Sequence, residues 1–118
     1  MQDIKNKPWL KSYPKGVSST IEFDEFESLV DMFNQTTQRF KTKKAFTNFG
    51  VSLTFEQIYN NSLNLSAFLQ NNLNLSKGSS VAIMMPNLLQ YPISTFGILK
   101  AGLIVENTNV IVDGKRLE

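Results

Sequence analysis

The stretch from Lys77 to Asn109, KGSSVAIMMPNLLQYPISTFGILKAGLIVENTN, decides the fold. Val81–Met85 is an apolar run between Gly78 and Pro86. A run this short and apolar predicts a strand covered on both faces, as in a parallel sheet. Ile93, Phe96, Leu99 and Lys100 follow at helical spacing, and Gly102 sits where a helix would end. Leu103–Val105 is a second short apolar run. Strand, helix and strand make a βαβ unit, with the two strands parallel. A sheet normally holds more strands than this segment supplies, so the sheet is expected to be small and incomplete.

Working outward, Thr54 and Gln57 have the spacing of a capping box. Phe55, Ile58, Ser62, Leu65 and Leu69 then recur every three or four residues, which predicts an amphipathic helix ending between Asn71 and Gly78. Ala45–Asn48 and Val51–Thr54 flank Phe49-Gly50 and predict a β-hairpin. Ser28 and Asp31 suggest another capping box. It would open a helix with Val30, Phe33, Thr37 and Phe40 on one face, ending near Lys41. Pro92, early in the helix of the βαβ unit, removes a backbone donor and is expected to bend the axis. Residues 1–27 are broken by Pro8, Pro14 and Gly16 and carry no period. Trp9 and Tyr13 are expected to anchor that segment to the protein's own surface. The expected division is an irregular segment over 1–27 and a partial α/β subdomain over 28–118.

Composition narrows the chemistry. The 118 residues carry a net charge of +2, and with 42% hydrophobic and 19% charged residues they describe a chain able to form a core. There is no cysteine and no histidine, which removes disulfides, thiolate chemistry, the usual zinc ligand sets and histidine-based triads. Lys41, Lys43 and Lys44 cluster, but the footprint is too small to predict nucleic-acid binding. The start lacks the apolar core of a signal peptide, and no apolar run is long enough to span a bilayer. A cytoplasmic location is expected. Asn64-Leu65-Ser66 and Asn74-Leu75-Ser76 fit the glycosylation pattern, and are read as chance matches in an Asn-rich cytoplasmic chain.

Three features carry the residue types of candidate sites. Gly97 and Gly102 have the first spacing of a phosphate loop, but Leu103-Ile104 follow where Lys and Ser/Thr should stand. Close helix packing at Gly97 and helix termination at Gly102 are the expected roles. Asp24, Glu25 and Glu27 form an acidic run near a helix start, where carboxylates suit the dipole and face water. Lys100 at a helix end suits the opposite pole. None is assigned a catalytic, cofactor-binding or metal-binding role.

The wording of several segments resembles the long-chain fatty acid–CoA ligases (acyl-CoA synthetases) of the adenylate-forming, AMP-binding superfamily. Gly78, Val81 through Pro92, and Phe96 through Gly102 carry the closest match. Leu53-Thr54-Phe55-Glu56-Gln57-Ile58 is similar to the first core motif, usually L-T-Y-x-E-L. Leu99-Lys100-Ala101-Gly102 begins the second. Trp9-Leu10-Lys11-Ser12-Tyr13-Pro14 and Ser28-Leu29-Val30-Asp31-Met32-Phe33 resemble the long-chain branch. The match covers the amino-terminal part of the family's large domain.

That resemblance implies ATP-dependent conversion of a long-chain fatty acid to an acyl-adenylate, then transfer to coenzyme A, with magnesium. The family's Ser/Thr/Gly-rich ATP loop, adenine-side motif and lid lysine have no counterpart here, and Lys100 is not that lysine. The expectation is therefore that the chain alone binds no ATP, magnesium or coenzyme A and is catalytically silent. It would be either a remnant or half of a split ligase completed by a second polypeptide; a non-catalytic interaction or acyl-binding module is the alternative. Peripheral contact with membranes is a further expectation, since relatives often work there. Relatives usually continue the last strand with V-N-x-N-P-L-Y. Here Val110 replaces the Pro, Val112 the Tyr, and Glu106 an apolar residue. A buried unpaired Glu106 would be costly, so either that strand is exposed or the region departs from the family's design. With strand edges exposed, the isolated chain is expected to be poorly soluble or partly molten.

Overall fold

The computed structural model describes residues 7–21 and 25–108. Asp24 of the acidic run and the departures at Val110 and Val112 lie outside the described residues. The architecture is α/β, with three α-helices, one hairpin and one two-stranded parallel sheet among the described residues.

Helix α1 spans Leu29–Phe40, and Ser28 caps it by accepting from the Asp31 N–H at 3.0 Å. Only this half of the expected box forms. The Asp31 carboxylate accepts instead from the Glu27 N–H at 3.3 Å and from Gln35 Nε2 at 2.9 Å. Aspartate is one methylene shorter than the glutamate that usually closes the box.

Strands β1 (Lys44–Asn48) and β2 (Val51–Thr54) form the expected antiparallel hairpin, with Asn48 opposite Val51. Its two-residue loop has φ of 46° at Phe49 and 79° at Gly50. Both signs are those of the type I′ turn, which follows the right-handed twist of the strands.

Helix α2 spans Phe55–Asn71. Its capping box is complete: Thr54 Oγ1 accepts from the Gln57 N–H at 3.2 Å, and Gln57 Oε1 from the Thr54 N–H at 2.9 Å.

Strand β3 (Ser80–Ile83), helix α3 (Gln90–Lys100) and strand β4 (Ile104–Asn107) make the βαβ unit. The strands pair in parallel, Ser80 with Ile104 through Ile83 with Asn107. Both strand bounds differ from the sequence reading. Met84 and Met85 extend past the ladder toward Pro86, where no partner remains among the described residues. Leu103 belongs to the end of α3. Its N–H donates to Ile98 O at 3.2 Å while that of Gly102 donates to Leu99 O at 3.0 Å. Gly102 has φ +76°. This is a Schellman motif, with buried Leu103 and Ile98 making the accompanying apolar contact.

Pro92 does not disturb α3. It is the third residue of the helix, within the first turn, whose N–H groups have no intrahelical partner anyway. The ring is buried, so it contributes packing at no loss of a hydrogen bond.

The core joins α2, α3 and one face of the parallel sheet. Leu69, Ile83, Ile98, Ala101 and Leu103 are its buried members, with Leu65, Val81 and Val105 packed against them. Small residues let α2 and α3 approach closely. Ser62 is wholly buried and donates to Ile93 O at 3.1 Å, and Gly97 is buried against Leu65. The other sheet face is open, contrary to the expectation of strands covered on both sides: Ala82, Ile104 and Glu106 are exposed among the described residues. Alternation, rather than a continuous buried strand, is the real pattern. Glu106 thus meets water and carries no burial penalty.

A short 3-10 helix at Pro8–Ser12 stands in the amino-terminal segment, otherwise irregular over its described residues 7–21. Trp9 and Tyr13, expected to anchor the segment to the protein's surface, are 53% and 43% exposed, so each keeps about half of its side chain in water.

Candidate functional site

Chemistry-bearing side chains converge at the junction of α1, α2 and α3. Phe33 of α1 and Phe96 of α3 stack with ring centroids 3.8 Å apart and planes 5° from parallel. Tyr59 of α2 lies 6.2 Å from Phe33 on the same stack. Lys100, in the last turn of α3, brings its ammonium to 4.2 Å from the Tyr59 ring centre and 5.7 Å from that of Phe33. Nζ also donates to Asn34 Oδ1 of α1. Ring faces and an amide oxygen replace part of the ammonium's water shell. Burial lowers the Lys100 pKa from its usual 10.5, because the charged form loses solvation.

The sequence places Lys100 at a helix end but gives no sign of its aromatic surroundings. The reason is distance along the chain: Asn34 is 66 residues away. Phe33-Asn34 and Tyr59 each lie on the core-facing stripe of a helix, which is the one local signal for them. The junction binds three helices together. It presents no nucleophile beside a base and no paired carboxylates, so it has no acid–base machinery of its own.

The phosphate-loop candidate is resolved by its hydrogen bonds. Gly97 sits within α3, and a Cβ built on it would stand 2.9 Å from Leu65 Cδ2. The Ala101, Gly102 and Leu103 N–H groups all donate to carbonyls of α3. A phosphate needs several free, convergent N–H groups, and here they are engaged. Glu25 and Glu27 of the acidic run are exposed. Among the described residues no group of three or more acidic, histidine or cysteine side chains could hold a metal. Among the described residues, neither the Gly97–Gly102 segment nor the exposed Glu25 and Glu27 fits ATP or magnesium.

A groove of about 400 Å³ runs beside β3, lined by Leu65, Leu69, Val81, Ile83, Met85 and Ile98 among others. Met84, also in its lining, is 56% exposed. The groove is apolar and carries no cation to receive a carboxylate. Among the described residues no helix is long and apolar enough to cross a membrane.

Comparison with known proteins converges on one group. Residues 33–118 match the sequence profile described as AMP-binding enzyme. A long-chain-fatty-acid–CoA ligase of Escherichia coli O6:H1 is 47% identical over 112 residues, and one of Yersinia pestis 46%. In each case the alignment covers 95% of this chain and 20% of the relative, so the chain spans about one fifth of the length of these ligases. Among solved structures, the Klebsiella oxytoca NpsA N-terminal subdomain in complex with 3-hydroxyanthranilyl-AMSN superimposes with a TM-score of 0.68 at 27% identity. That match covers 73% of this chain and 22% of the other.

Proposed function

The chain belongs to the AMP-binding enzyme family, and from that premise we propose that it forms the amino-terminal part of the large domain of a long-chain fatty acid–CoA ligase. Residues 28–118 would be the partial AMP-binding subdomain and residues 1–27 an extension in front of it. The ligase would activate a long-chain fatty acid with ATP and magnesium to an acyl-adenylate, then pass the acyl group to coenzyme A. This stretch supplies scaffold to that reaction: the βαβ unit and the three-helix junction. The groups that grip ATP and transfer the acyl chain would belong to the four fifths of the ligase that this sequence does not span. A cytoplasmic location, with peripheral contact at membranes where long-chain acids reside, goes with this role.

One observation carries the reading. The 112 residues aligned at 47% identity to a ligase take in both motif-like stretches: Leu53–Ile58 spans the end of β2 and the first turn of α2, and Leu99–Gly102 lies at the end of α3. The test is an acyl-CoA synthesis assay with a long-chain fatty acid, ATP and coenzyme A. The chain is assayed alone and together with the remaining four fifths of a related ligase. Product from the pair and none from the chain alone is the expected result. Acyl-adenylate made by the chain alone would overturn it.

The groove beside β3 favours a second reading, a module that holds an acyl chain without chemistry. Saturable binding of a long-chain fatty acid to the chain alone, at micromolar ligand, would support that reading.

A further inference from the structure

The β1–β2 hairpin carries a residue that folding does not explain. Phe49 is 93% exposed at the tip, with φ +46°. Type I′ turns favour Asn, Asp or Gly at that position, because a bulky side chain is strained there. An aromatic ring that bears backbone strain and buries nothing contributes no stability to the chain. Phe46 and Val51 beside it are 42% and 58% exposed. Asn48 Nδ2 donates to Asn87 O at 2.6 Å, holding the tip against the loop before α3.

The charge pattern around the hairpin is mostly positive, although exposed Glu56 adjoins its base and donates its N–H to Lys41 O at 3.1 Å. Residues 32–55 hold Arg39, Lys41, Lys43 and Lys44 and no Asp or Glu. All four cations are exposed. Arg39 and Lys43 lie 5.2 and 5.0 Å from the Phe40 ring centre, which holds both beside the hairpin's base.

We propose that this hairpin is a lipid-contact element, in which Phe49 enters the interface of an anionic bilayer and the four cations meet its headgroups. The inference rests on the peripheral location proposed above and names the surface responsible. A strand rises about 3.4 Å per residue, so Lys44 and Phe49 stand up to roughly 17 Å apart. The hairpin therefore lies along the bilayer rather than standing on it, with the long lysine stems reaching the headgroups. Strain at the tip is then offset by transfer of the ring out of water. Cations with exposed rings also suit single-stranded nucleic acid, but here the cations gather at the hairpin's base while Phe49 stands at its tip, so no row of cations follows a backbone past the ring.

The test is co-sedimentation of the full 118-residue chain with phosphatidylcholine vesicles, with and without phosphatidylglycerol. ATP and coenzyme A are left out, so the result is independent of ligase activity. Expected is binding that needs the anionic lipid and weakens with salt. Phe49→Asn suits the turn, so it should keep or raise the melting temperature while weakening binding roughly tenfold. Changing Lys41, Lys43 and Lys44 together to Gln should weaken binding by roughly fivefold per cation. Undiminished binding by either variant, no binding by the native chain, or preference for single-stranded RNA over vesicles would overturn the proposal.

Discussion

Gly97 of α3 lies so close to Leu65 of α2 that a β-carbon on the glycine would stand 2.9 Å from the leucine Cδ2 and 3.0 Å from its Cβ. The leucine tip can turn away, but its Cβ moves only with the backbone of α2. Gly97→Ala gains about 1 kcal/mol of helix propensity. Forcing the helices apart costs about 1–3 kcal/mol. The variant is expected to be less stable by roughly 1 kcal/mol, and Gly97→Ala with Leu65→Ala should show favourable coupling in a double-mutant cycle of denaturant melts. A more stable single variant would refute the close approach.

Phe33 is 5% exposed and has its ring stacked on Phe96. Phe33→Ala is expected to cost about 3–5 kcal/mol. At roughly 4–8 °C per kcal/mol for a small domain, the melting midpoint should fall by more than about 10 °C. Phe33→Leu nearly keeps volume and should lose much less.

Lys100 makes stability depend on pH in a stated direction. Its folded pKa lies below the unfolded 10.5, so between the two values the unfolded chain binds more protons. The destabilisation is fully present below the folded pKa and is lifted as pH rises toward 10.5. Other lysines and tyrosines titrate there too, so the difference between wild type and Lys100→Met is the quantity to measure by denaturant titration. The wild type should gain on the variant as pH rises through that window; a flat difference would show that Lys100 is as well solvated as a surface lysine.

The two caps should differ in weight. Thr54→Ala removes one bond of a complete capping box and strands the Gln57 N–H, and about 1 kcal/mol of stability should be lost. Ser28→Ala removes a lone cap on an exposed helix start and should cost less. Equal losses by thermal melts would contradict this ranking.

Local rules were enough for much of this molecule. Thr54 with Gln57, Phe49-Gly50 and Gly102 each fixed an element boundary through chemistry within a few residues. Strand ends were harder. Met84 looks as strand-like as Ile83, but only the partner strand decides where the ladder stops. Leu103 looked like the first residue of β4, yet the Schellman bonds hold it to α3. Burial of the sheet on one face was illegible because apolar Ala82 and Ile104 stand on the open side. The surroundings of Lys100 were equally hidden, since Asn34 and Tyr59 reach it only after three helices have met.

Both sheets pair strands that are consecutive in the chain, β1 with β2 across a two-residue turn and β3 with β4 across a single helix. Short loops close fast, and topologies built from near neighbours fold sooner than those that wait for distant strands. In a nascent ligase this stretch would therefore be among the earliest to acquire native contacts, giving later-emerging segments a finished surface on which to assemble.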